Sequence, residues 1–369
     1  MKSYKIAVIE GDGIGREVVP EGIRVLEAAA RRFDLSFTWQ HFDWSCETYL
    51  KTGRMMPENG LEQMRPFDAI YLGAVGYPGV PDHISLWGLL IPIRRGFKEY
   101  VNLRPARLLE GITSPLAGRR AGEIDFVIVR ENSEGEYSEV GGRMNRNTEF
   151  DMAVQESIFT RRACDRIITY AFELARTRKK HVTSATKSNG IVYAMPFWDE
   201  RFAAVSKLYP DVKADQFHID ILTAHFVAHP DWFDVVVGSN LFGDILSDLG
   251  AAVVGSMGLA PSANLNPERE YPSLFEPVHG SAPHIAGKGI ANPLGAILSA
   301  AMLLRHSFQL ESEAACIESA VECVLEAGHR TRDLAGPNRS SLSTTEMGAK
   351  VVDAARTLAG SGARKEKTA

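Results

Sequence analysis

One stretch organises the sequence: Asp234-Val-Val-Val-Gly-Ser-Asn-Leu-Phe-Gly-Asp-Ile-Leu-Ser-Asp248. Its apolar run predicts a buried strand, and the residues after the run predict the first turns of a helix. Residues four apart on a helix lie on one face, about 5–6 Å from each other, so Asp244 and Asp248 share one small volume. Two interpretations are open at this point. Acidic side chains suit a solvated helix N-terminus because of the helix dipole, and paired carboxylates also bind hard cations such as Mg²⁺ or Mn²⁺.

The same order of strand and helix recurs along the 369 residues of the chain. Short apolar runs predict strands over residues 5–9, 37–42, 69–74, 126–129, 181–185 and 235–237. Amphipathic patterns predict helices over residues 161–176, 198–208, 294–305, 313–327 and 345–358. Such alternation is typical of an α/β fold with a largely parallel or mixed sheet.

The composition is that of an ordinary globular protein, with 45% hydrophobic and 24% charged residues and a net charge of −5. This balance gives no indication of a nucleic-acid partner. The 4 cysteines are scattered, which argues against a disulfide framework and against a zinc site. No apolar run approaches the roughly 18 residues of a membrane span, so we expect no membrane partner and a cytoplasmic location.

A glycine-rich segment, Glu10-Gly-Asp-Gly-Ile-Gly15, follows the first predicted strand and precedes a helix. Gly11 and Gly13 fit the dinucleotide-binding pattern G-x-G-x-x-G, but Arg16 stands where the third glycine is required. The segment therefore does not predict a Rossmann fold. Its three glycines still indicate a tight turn that brings backbone close to a ligand.

Three arginines stand at positions that suit ligand binding. Arg94 ends a predicted helix, Arg104 lies on the strand that follows, and Arg130 lies at the C-terminal end of a strand. Open α/β sheets bind ligands at that end, and the planar fork of arginine binds carboxylates in two-point contacts. Three convergent arginines would hold a di-acid, whereas each one alone is also compatible with an ordinary surface position.

Three further residues are candidates for chemistry. Tyr137 ends the polar loop that follows Arg130, and Lys187 follows a predicted strand among small polar residues. A lysine near a metal or arginines can have its pKa lowered enough to act as a base, although a solvated lysine fits the same pattern. Asp220 interrupts an apolar helical pattern, and because a buried carboxylate needs a partner, it is a candidate third metal ligand.

A second loop is rich in glycine, proline and small polar residues, from Glu276 to Asn292. Several of its backbone N–H groups are available for ligands. The composition is compatible with a phosphate-binding or adenine-binding loop and with a plain structural loop.

Together and in this order, the motifs resemble the β-decarboxylating hydroxyacid dehydrogenases, a family of isopropylmalate, isocitrate, homoisocitrate and tartrate/D-malate dehydrogenases. The resemblance runs from Ile6 to about Leu358. Residues 81–94 look like the tartrate/D-malate branch, because isopropylmalate dehydrogenases carry a glutamate where Trp87 stands. Leu90 and Ile91 keep the apolar pair that meets the isopropyl group in those enzymes.

The resemblance implies a two-domain α/β fold of the isopropylmalate dehydrogenase type, with a mixed sheet and no Rossmann domain. A large cofactor-binding domain is expected from residues 1–104 and 258–369, with an inserted substrate and dimerisation domain over residues 105–257 and a disordered tail over residues 360–369. The implied partner is a second copy of the chain, and Lys187 and Asp220 are the residues expected to be lent to the other subunit's active site.

The implied reaction is the metal-dependent oxidative decarboxylation of a 2-hydroxy di-acid with hydride transfer to NAD. D-malate would give pyruvate and CO₂, and tartrates would be oxidised or decarboxylated. The implied substrate-binding residues are Arg94, Arg104, Arg130, Trp87 and Leu90, the metal ligands for Mn²⁺ or Mg²⁺ are Asp220, Asp244 and Asp248, and the catalytic residues are Lys187 as base and Tyr137 as proton donor. K⁺ is a candidate monovalent activator.

The resemblance also implies ten residues that bind NAD: Ile14, Glu276, His279, Gly280, Ser281, Ala282, His284, Ile285, Asn292 and Asp333. His284 departs from the family pattern, in which NAD-preferring members carry an aspartate and NADP-using isocitrate dehydrogenases a lysine. NAD is still expected, with weakened discrimination or affinity. Two alternatives stay open, a 3-isopropylmalate dehydrogenase and a non-catalytic relative that binds a di-acid.

Overall fold

The computed structural model describes residues 2–336 and 339–365. The chain divides into two compact units. Unit 1 comprises Met1–Glu99, Arg107–Ile124 and Ala251–Ala369, and unit 2 comprises Tyr100–Ala106 and Asp125–Gly250.

The described strands are β1 (Lys2–Gly11), β2 (Leu35–His41), β3 (Ala69–Ala74), β4 (Val101–Arg107), β5 (Asp125–Glu131), β6 (Gly141–Met144), β7 (Met152–Gln155), β8 (His181–Thr186), β9 (Lys213–His218), β10 (Val235–Gly238), β11 (Pro261–Leu265) and β12 (Ser273–Pro277). The described α-helices are α1 (Gly15–Phe33), α2 (Cys46–Thr52), α3 (Gly60–Met64), α4 (Asp82–Ser85), α5 (Ile91–Gly96), α6 (Arg161–Arg176), α7 (Ala194–Ser206), α8 (Ile219–Ala228), α9 (Asn240–Val253), α10 (Leu294–His306), α11 (Glu311–Glu326), α12 (Arg332–Ala335) and α13 (Thr344–Lys365). A π-helical turn covers Leu86–Leu90, and 3₁₀ turns cover Pro230–Trp232 and Met257–Leu259.

In unit 1, five strands lie in the order β2-β1-β3-β12-β11. β1 runs parallel to β2 and β3, and β12 runs parallel to β3, but β11 is antiparallel to β12. Helices α1 and α10 cover this sheet, and residues 6–9 of β1 are completely buried. The strand order differs from the 3-2-1-4-5-6 order of a Rossmann fold. Because β11 is antiparallel while the other strands are parallel, the predicted mixed α/β sheet is confirmed.

In unit 2, the strands lie in the order β4-β5-β10-β8-β9, with β10 parallel to β5 and β8, and β8 parallel to β9. All four residues of β10 are buried, and α9 begins two residues after this strand. The strand and helix predicted around Asp244 are therefore confirmed. The antiparallel hairpin β6–β7 forms a separate two-stranded sheet whose eight residues are all exposed.

Most predicted elements appear within a few residues of the predicted bounds. The pattern analysis did not predict β9, β11, β12 or the hairpin. β9 has no fully buried residue, and β11 and β12 are short and bounded by Pro261 and Pro277, so none of them shows a long apolar run. Helix α1 continues through Pro20.

The unit boundaries differ from the expected domains in three places. Residues 107–124 and 251–257, expected in the inserted domain, belong to unit 1, and residues 100–104, expected in the large domain, belong to unit 2. The tail expected to be disordered from residue 360 is helical as far as Lys365, because an established helix propagates easily, and residues 366–369 lie outside the described residues. None of the described helices combines the length and apolarity that a membrane crossing requires.

Candidate active site

Helix α9 in unit 2 brings Asp244 together with two of the predicted arginines. Nη1 of Arg104 donates to Oδ1 of Asp244 at 3.1 Å, and Nη1 of Arg130 donates to the same oxygen. Arg104 also lies 4.0 Å from Oδ1 of Asp248 and donates to Oγ of Ser247 at 2.6 Å. Both arginines are buried, because each projects from a buried strand, β4 or β5. The arrangement concentrates positive charge around a carboxylate pair.

The phenol of Tyr137 completes this cluster. Its hydroxyl donates to Oδ2 of Asp244 at 3.0 Å, and the Arg130 guanidinium lies 5.4 Å from the centre of the ring. The loop that carries Tyr137 is held at its start by Glu131, which accepts from the backbone N–H groups of Ser133 and Glu134. Because Glu131 is buried, desolvation raises the pKa of its carboxyl group above the ordinary value.

The loop is also attached to the start of α9. Glu136 accepts from the Ser239 hydroxyl at 2.7 Å and from the backbone N–H of Leu241 at 3.1 Å. A carboxylate at this position satisfies a helix N-terminus that has unpaired N–H groups. The position of Tyr137 relative to Asp244 therefore depends on both the loop and α9.

The two carboxylates of α9 influence each other. Desolvation by neighbouring groups raises the pKa of Asp248, Arg104 opposes the rise, and the Asp244 carboxylate adds to it. A cation between Asp244 and Asp248 would relieve this repulsion, and carboxylate oxygens are the ligands that Mg²⁺ and Mn²⁺ prefer. The donor set of α9 therefore fits a hard divalent cation but supplies only two side chains.

The third predicted ligand, Asp220, lies elsewhere in unit 2. The prediction that it is buried is wrong, since its side chain is 65% exposed. Helix α8 buries Leu222 and Phe226, which leaves the face that carries Asp220 outside. Oδ1 of Asp220 accepts from Nζ of Lys187 at 2.8 Å, and this bond lowers the pKa of Asp220. Among the described residues, no group of three acidic, histidine or cysteine side chains is placed to hold a metal ion.

Unit 1 contains a cavity of about 530 Å³, within the size range of small-molecule sites. Seven of the residues predicted to bind the cofactor line it: Ile14, His279, Ala282, His284, Ile285, Asn292 and Asp333. A second cavity, of about 590 Å³, is lined by residues 75–82 and 280–283, which include the predicted Gly280 and Ser281. The first glycine-rich turn joins this region, because the backbone N–H of Ile14 donates to Ser281 O at 2.9 Å.

Two polar side chains that line the first cavity, His279 and Asp333, are placed to contact a ligand such as a dinucleotide. Nδ1 of His279 lies 3.0 Å from Gly280 O, and its Nε2 is buried without a hydrogen-bond partner in the described part of the chain. Burial lowers the pKa of His279, so the ring is neutral and Nε2 is an acceptor for a ligand N–H or O–H. Asp333 accepts from Ser256 at 2.5 Å and from Asn292 at 3.0 Å, which fixes its carboxylate at the cavity wall.

Arg94 and Glu276 are paired inside unit 1. Nη2 of Arg94 donates to Oε1 of Glu276 at 2.9 Å, and Asn264 donates to the same oxygen at 2.8 Å. Glu276 lies on the buried strand β12, where it contacts Arg94, an arginine that was predicted to bind the substrate. Glu276 is not among the residues that line either cavity. Burial raises the pKa of the neighbouring Glu99 well above the ordinary value, while Arg94 opposes this shift.

Trp87 and Leu90 lie on the π-helical turn that precedes α5. Both side chains are half-buried, and the Arg95 guanidinium lies 5.0 Å from the centre of the Trp87 ring. Their place directly before Arg94 follows from the chain path, since α5 continues the turn without a break.

Comparison with known proteins identifies the family. A family model described as isocitrate/isopropylmalate dehydrogenase matches residues 5–351. The chain belongs to this family. The family predicted from the motifs is therefore confirmed.

Individual members of this dehydrogenase family are similar over nearly the whole chain. D-malate dehydrogenase (decarboxylating) of Escherichia coli (strain K12) is 57% identical over 345 residues, which cover 91% of this chain and 95% of that protein. Tartrate dehydrogenase/decarboxylase of Pseudomonas putida is 56% identical over 359 residues, or 95% and 97% of the two chains. The crystal structure of isocitrate dehydrogenase from Methylococcus capsulatus aligns with a TM-score of 0.85 at 34% identity, over 96% of this chain and 99% of that one.

Sequence reasoning missed some residues of the site in this family member. Asn240 contacts Arg130, Ser247 contacts Arg104, and Asn264 contacts Glu276. Each is a buried polar residue in or beside an apolar element. Such residues need partners, and this was the signal that could have drawn attention to them.

Proposed function

We propose that the protein oxidises and decarboxylates a small 2-hydroxy di-acid, D-malate or a tartrate, with transfer of the hydride to NAD⁺. One observation carries the proposal: Asp244 accepts hydrogen bonds from Arg104, Arg130 and Tyr137. Anion-binding and proton-donating groups thus surround a carboxylate pair that suits a divalent cation. The relatives named D-malate and tartrate dehydrogenases, at 57% and 56% identity, support this substrate class.

Asp244 and Asp248 would hold Mn²⁺ or Mg²⁺, with Asp220 supplied by a second copy of the chain. When bound, such an ion stabilises negative charge that develops on the substrate oxygens. The Arg104 and Arg130 guanidinium groups would then bind a substrate carboxylate, a task that suits their planar forks. Arg94 is proposed to bind the di-acid as well, with Trp87 and Leu90 against the remainder of the substrate.

Two side chains are proposed to move protons. Lys187 accepts the proton of the C2 hydroxyl as the hydride leaves C2 for NAD⁺. After the β-carboxylate departs as CO₂, Tyr137 donates a proton to C3, and pyruvate is the product from D-malate. The hydroxyl of Tyr137 is a donor to Asp244 in the structure, so it carries a proton next to the carboxylate pair. General acid–base catalysis of this kind contributes about 10²–10⁴-fold to rates.

We propose that the working form is a homodimer with shared sites. Leu241 and Ile245 are 37% and 48% exposed on α9, beside the carboxylates, and Ile221 is 44% exposed beside Asp220. Exposed apolar groups that adjoin functional carboxylates indicate surfaces that another chain covers. The hairpin β6–β7 and its connection add Met144, Phe150 and Met152 at 51%, 70% and 46% exposure.

Unit 1 is proposed to bind the dinucleotide through the residues that line its two cavities. The acceptor Nε2 of His279 and the fixed carboxylate of Asp333 support this assignment. The contact of Glu276 with a dinucleotide, the activation by K⁺ and the cytoplasmic location remain predictions from the sequence.

The proposal is tested by a substrate panel. Initial rates are measured with D-malate, the tartrate isomers and 3-isopropylmalate, each with NAD⁺ and with NADP⁺, in Mn²⁺ or Mg²⁺ and with or without K⁺. Metal-dependent NADH formation with D-malate or a tartrate is expected. A hundredfold preference for 3-isopropylmalate, set by the roughly 2.7 kcal/mol that an apolar pocket can supply, would overturn the substrate assignment. Tight binding without any turnover would favour a di-acid-binding relative.

Asp244→Asn provides the matched variant. It keeps the shape of the side chain but removes the charge, so turnover should fall by about 10²–10³-fold or more, and calorimetry should show weaker Mn²⁺ binding. Asp353→Asn on the exposed face of α13 is the control for the same change and should keep wild-type rates. Near-normal activity of Asp244→Asn would refute the metal assignment.

A further inference from the structure

Asn240 connects Arg130 with the loop that carries Tyr137. Its Oδ1 accepts from both Nε and Nη2 of Arg130, at 3.0 and 2.7 Å. Its Nδ2 donates to the backbone carbonyl of Glu134 at 3.0 Å. The side chain is buried, with 5% of its surface exposed, and it stands on the first residue of α9.

The orientation of this amide follows from the chemistry of its partners. A guanidinium has only donors and a carbonyl oxygen only accepts, so the amide oxygen must face Arg130 and the amide nitrogen must face Glu134. Turning the amide over would place donor against donor at Arg130. Asn240 therefore orients the Nε and Nη2 edge of Arg130, while Asp244 holds Nη1.

Helix α9 also limits Arg130 from a second position. A Cβ atom added to Gly243 would lie 2.5 Å from Cβ and 2.7 Å from Cγ of Arg130, so the arginine stem packs directly on the glycine. Gly243 lies one turn after Asn240. The stem and the fork of Arg130 are thus both positioned by the helix that carries Asp244.

A neutral partner matters for an arginine that binds an anion. A carboxylate in the place of Asn240 would form a two-point ion pair with the fork and compensate its charge. An amide orients the same N–H groups and adds no second carboxylate to the one that Asp244 already places at Nη1 of Arg130. We propose that Asn240 is a positioning residue that aims Arg130 at a substrate carboxylate without adding a second negative charge beside it. This inference rests on the proposed function, in which Arg130 binds the di-acid.

Two variants separate positioning from other effects. Asn240→Asp keeps the shape and adds a charge, and Asn240→Ala removes the acceptor without adding a charge. We expect Asn240→Asp to raise KM for D-malate by about tenfold or more, a loss of binding of the size that one charged contact supplies, with a much smaller change in kcat. Asn240→Ala should raise KM by a smaller factor, because Arg130 keeps its charge but loses its direction.

Binding measurements provide readouts that do not need turnover. The dissociation constant of malonate, an unreactive di-acid, should rise with KM in both variants. The dissociation constant of Mn²⁺ should stay equal or fall in Asn240→Asp, because the added carboxylate stands one turn from Asp244; general damage to the site would raise it. Asn59→Asp, an exposed change of the same type in unit 1, should leave all constants at wild-type values.

Each outcome has a defined meaning. Malonate affinity within about twofold of the wild type in Asn240→Asp would overturn the inference. If Asn240→Ala does not fold, Asn240→Asp still provides this test, because it keeps the shape of the native side chain. A loss in Asn240→Asp with none in a folded Asn240→Ala would indicate simple repulsion and would also overturn it. If the wild type turns over D-malate and both variants have the KM of the wild type, only the inference is refuted. If the wild type neither turns over D-malate nor binds malonate, the proposed function is refuted as well.

Discussion

Substitution of Gly13 by alanine tests whether the first glycine-rich turn sets the shape of the cavities in unit 1. Gly13 has a φ of +55°, and an added Cβ atom would lie 2.0 Å from the carbonyl oxygen of Ser281. Contacts between carbon and oxygen are about 3.3 Å or longer. The backbone of Ser281 must therefore move by more than about 1 Å, which breaks the hydrogen bond that its carbonyl accepts from Ile14.

The magnitude follows from four contributions to the free energy of unfolding. A left-handed backbone conformation destabilises the folded protein by about 1–2 kcal/mol when alanine replaces glycine. The lower conformational entropy of the unfolded alanine variant offsets about 0.4–1 kcal/mol of this loss. The lost hydrogen bond between Ile14 and Ser281 adds about 1–1.5 kcal/mol, and residual crowding adds of the order of 1 kcal/mol. Gly13→Ala should therefore lower the free energy of unfolding by about 2–4 kcal/mol.

Gly53→Ala is the matched control. Gly53 also has a positive φ, +77°, at the end of α2, but no atom lies within 4 Å of an added Cβ. This variant should show only the backbone contribution, about 0.5–1.5 kcal/mol. The difference between the two variants isolates the collision with Ser281.

Urea unfolding followed by circular dichroism measures both stabilities, and initial rates measure the use of NAD⁺. Because Ile14 and Ala282 line the cavity proposed to bind the dinucleotide, kcat/KM for NAD⁺ should fall by about 10–100-fold in Gly13→Ala, as for a displacement of about 1 Å. Malonate binding, assigned to Arg94, Arg104 and Arg130, should not change, because none of these arginines lines either cavity. If Gly13→Ala is no less stable than Gly53→Ala and uses NAD⁺ like the wild type, the role given to the turn is wrong.

Three further predictions concern single side chains. Tyr137→Phe should lower kcat by about 100-fold with little change in the urea midpoint, since it removes one hydrogen bond to Asp244; retention of half the wild-type kcat would contradict the role of proton donor. His284→Asp should raise the preference for NAD⁺ over NADP⁺, measured as the ratio of kcat/KM values, by about tenfold or more, because a carboxylate accepts from the ribose hydroxyl and repels a 2′-phosphate; an unchanged ratio would exclude this position. Burial lowers the pKa of His306 to about 4, so the unfolded chain binds the extra proton below about pH 6.5 and stability is complete above that pH and decreases as the pH falls towards 4. His306→Gln should therefore lose less stability than the wild type between pH 7.5 and 5 in urea titrations, and equal losses would show that His306 does not titrate in this way.

Sequence patterns predicted the parts of the site that depend on local structure. The apolar run before Asn240 and the carboxylates after it specify a buried strand and one helical face, and both are present in the structure. Arg130 and Lys187 stand at the ends of β5 and β8 as expected, because an apolar run that stops at a charged residue marks the end of a buried strand.

The pairing of side chains could not be predicted in the same way. Glu276 belongs to a glycine-rich and proline-rich segment, so it was assigned to a ligand-binding loop, but pairing of β12 with β3 and β11 buries it next to Arg94. Asp220 was expected inside because α8 is apolar on most sides and shows no clear polar face. Which face is covered depends on the packing of α8 against the sheet, and the linear sequence does not contain that information.

The π-helical turn Leu86–Leu90 bears on how substrate preference can change during evolution. In this turn the N–H of Ile91 bonds to the carbonyl of Leu86, five residues back instead of four, so the segment holds one residue more than a regular helix needs. Deletion of one residue here would restore the α-helical pattern and rotate Trp87 by about 100° relative to Arg94. One in-frame deletion of three nucleotides would thus re-aim the side chain proposed to face the substrate. Helix α9 with the proposed metal ligands, and the segments that carry Tyr137 and Lys187, would keep their sequence.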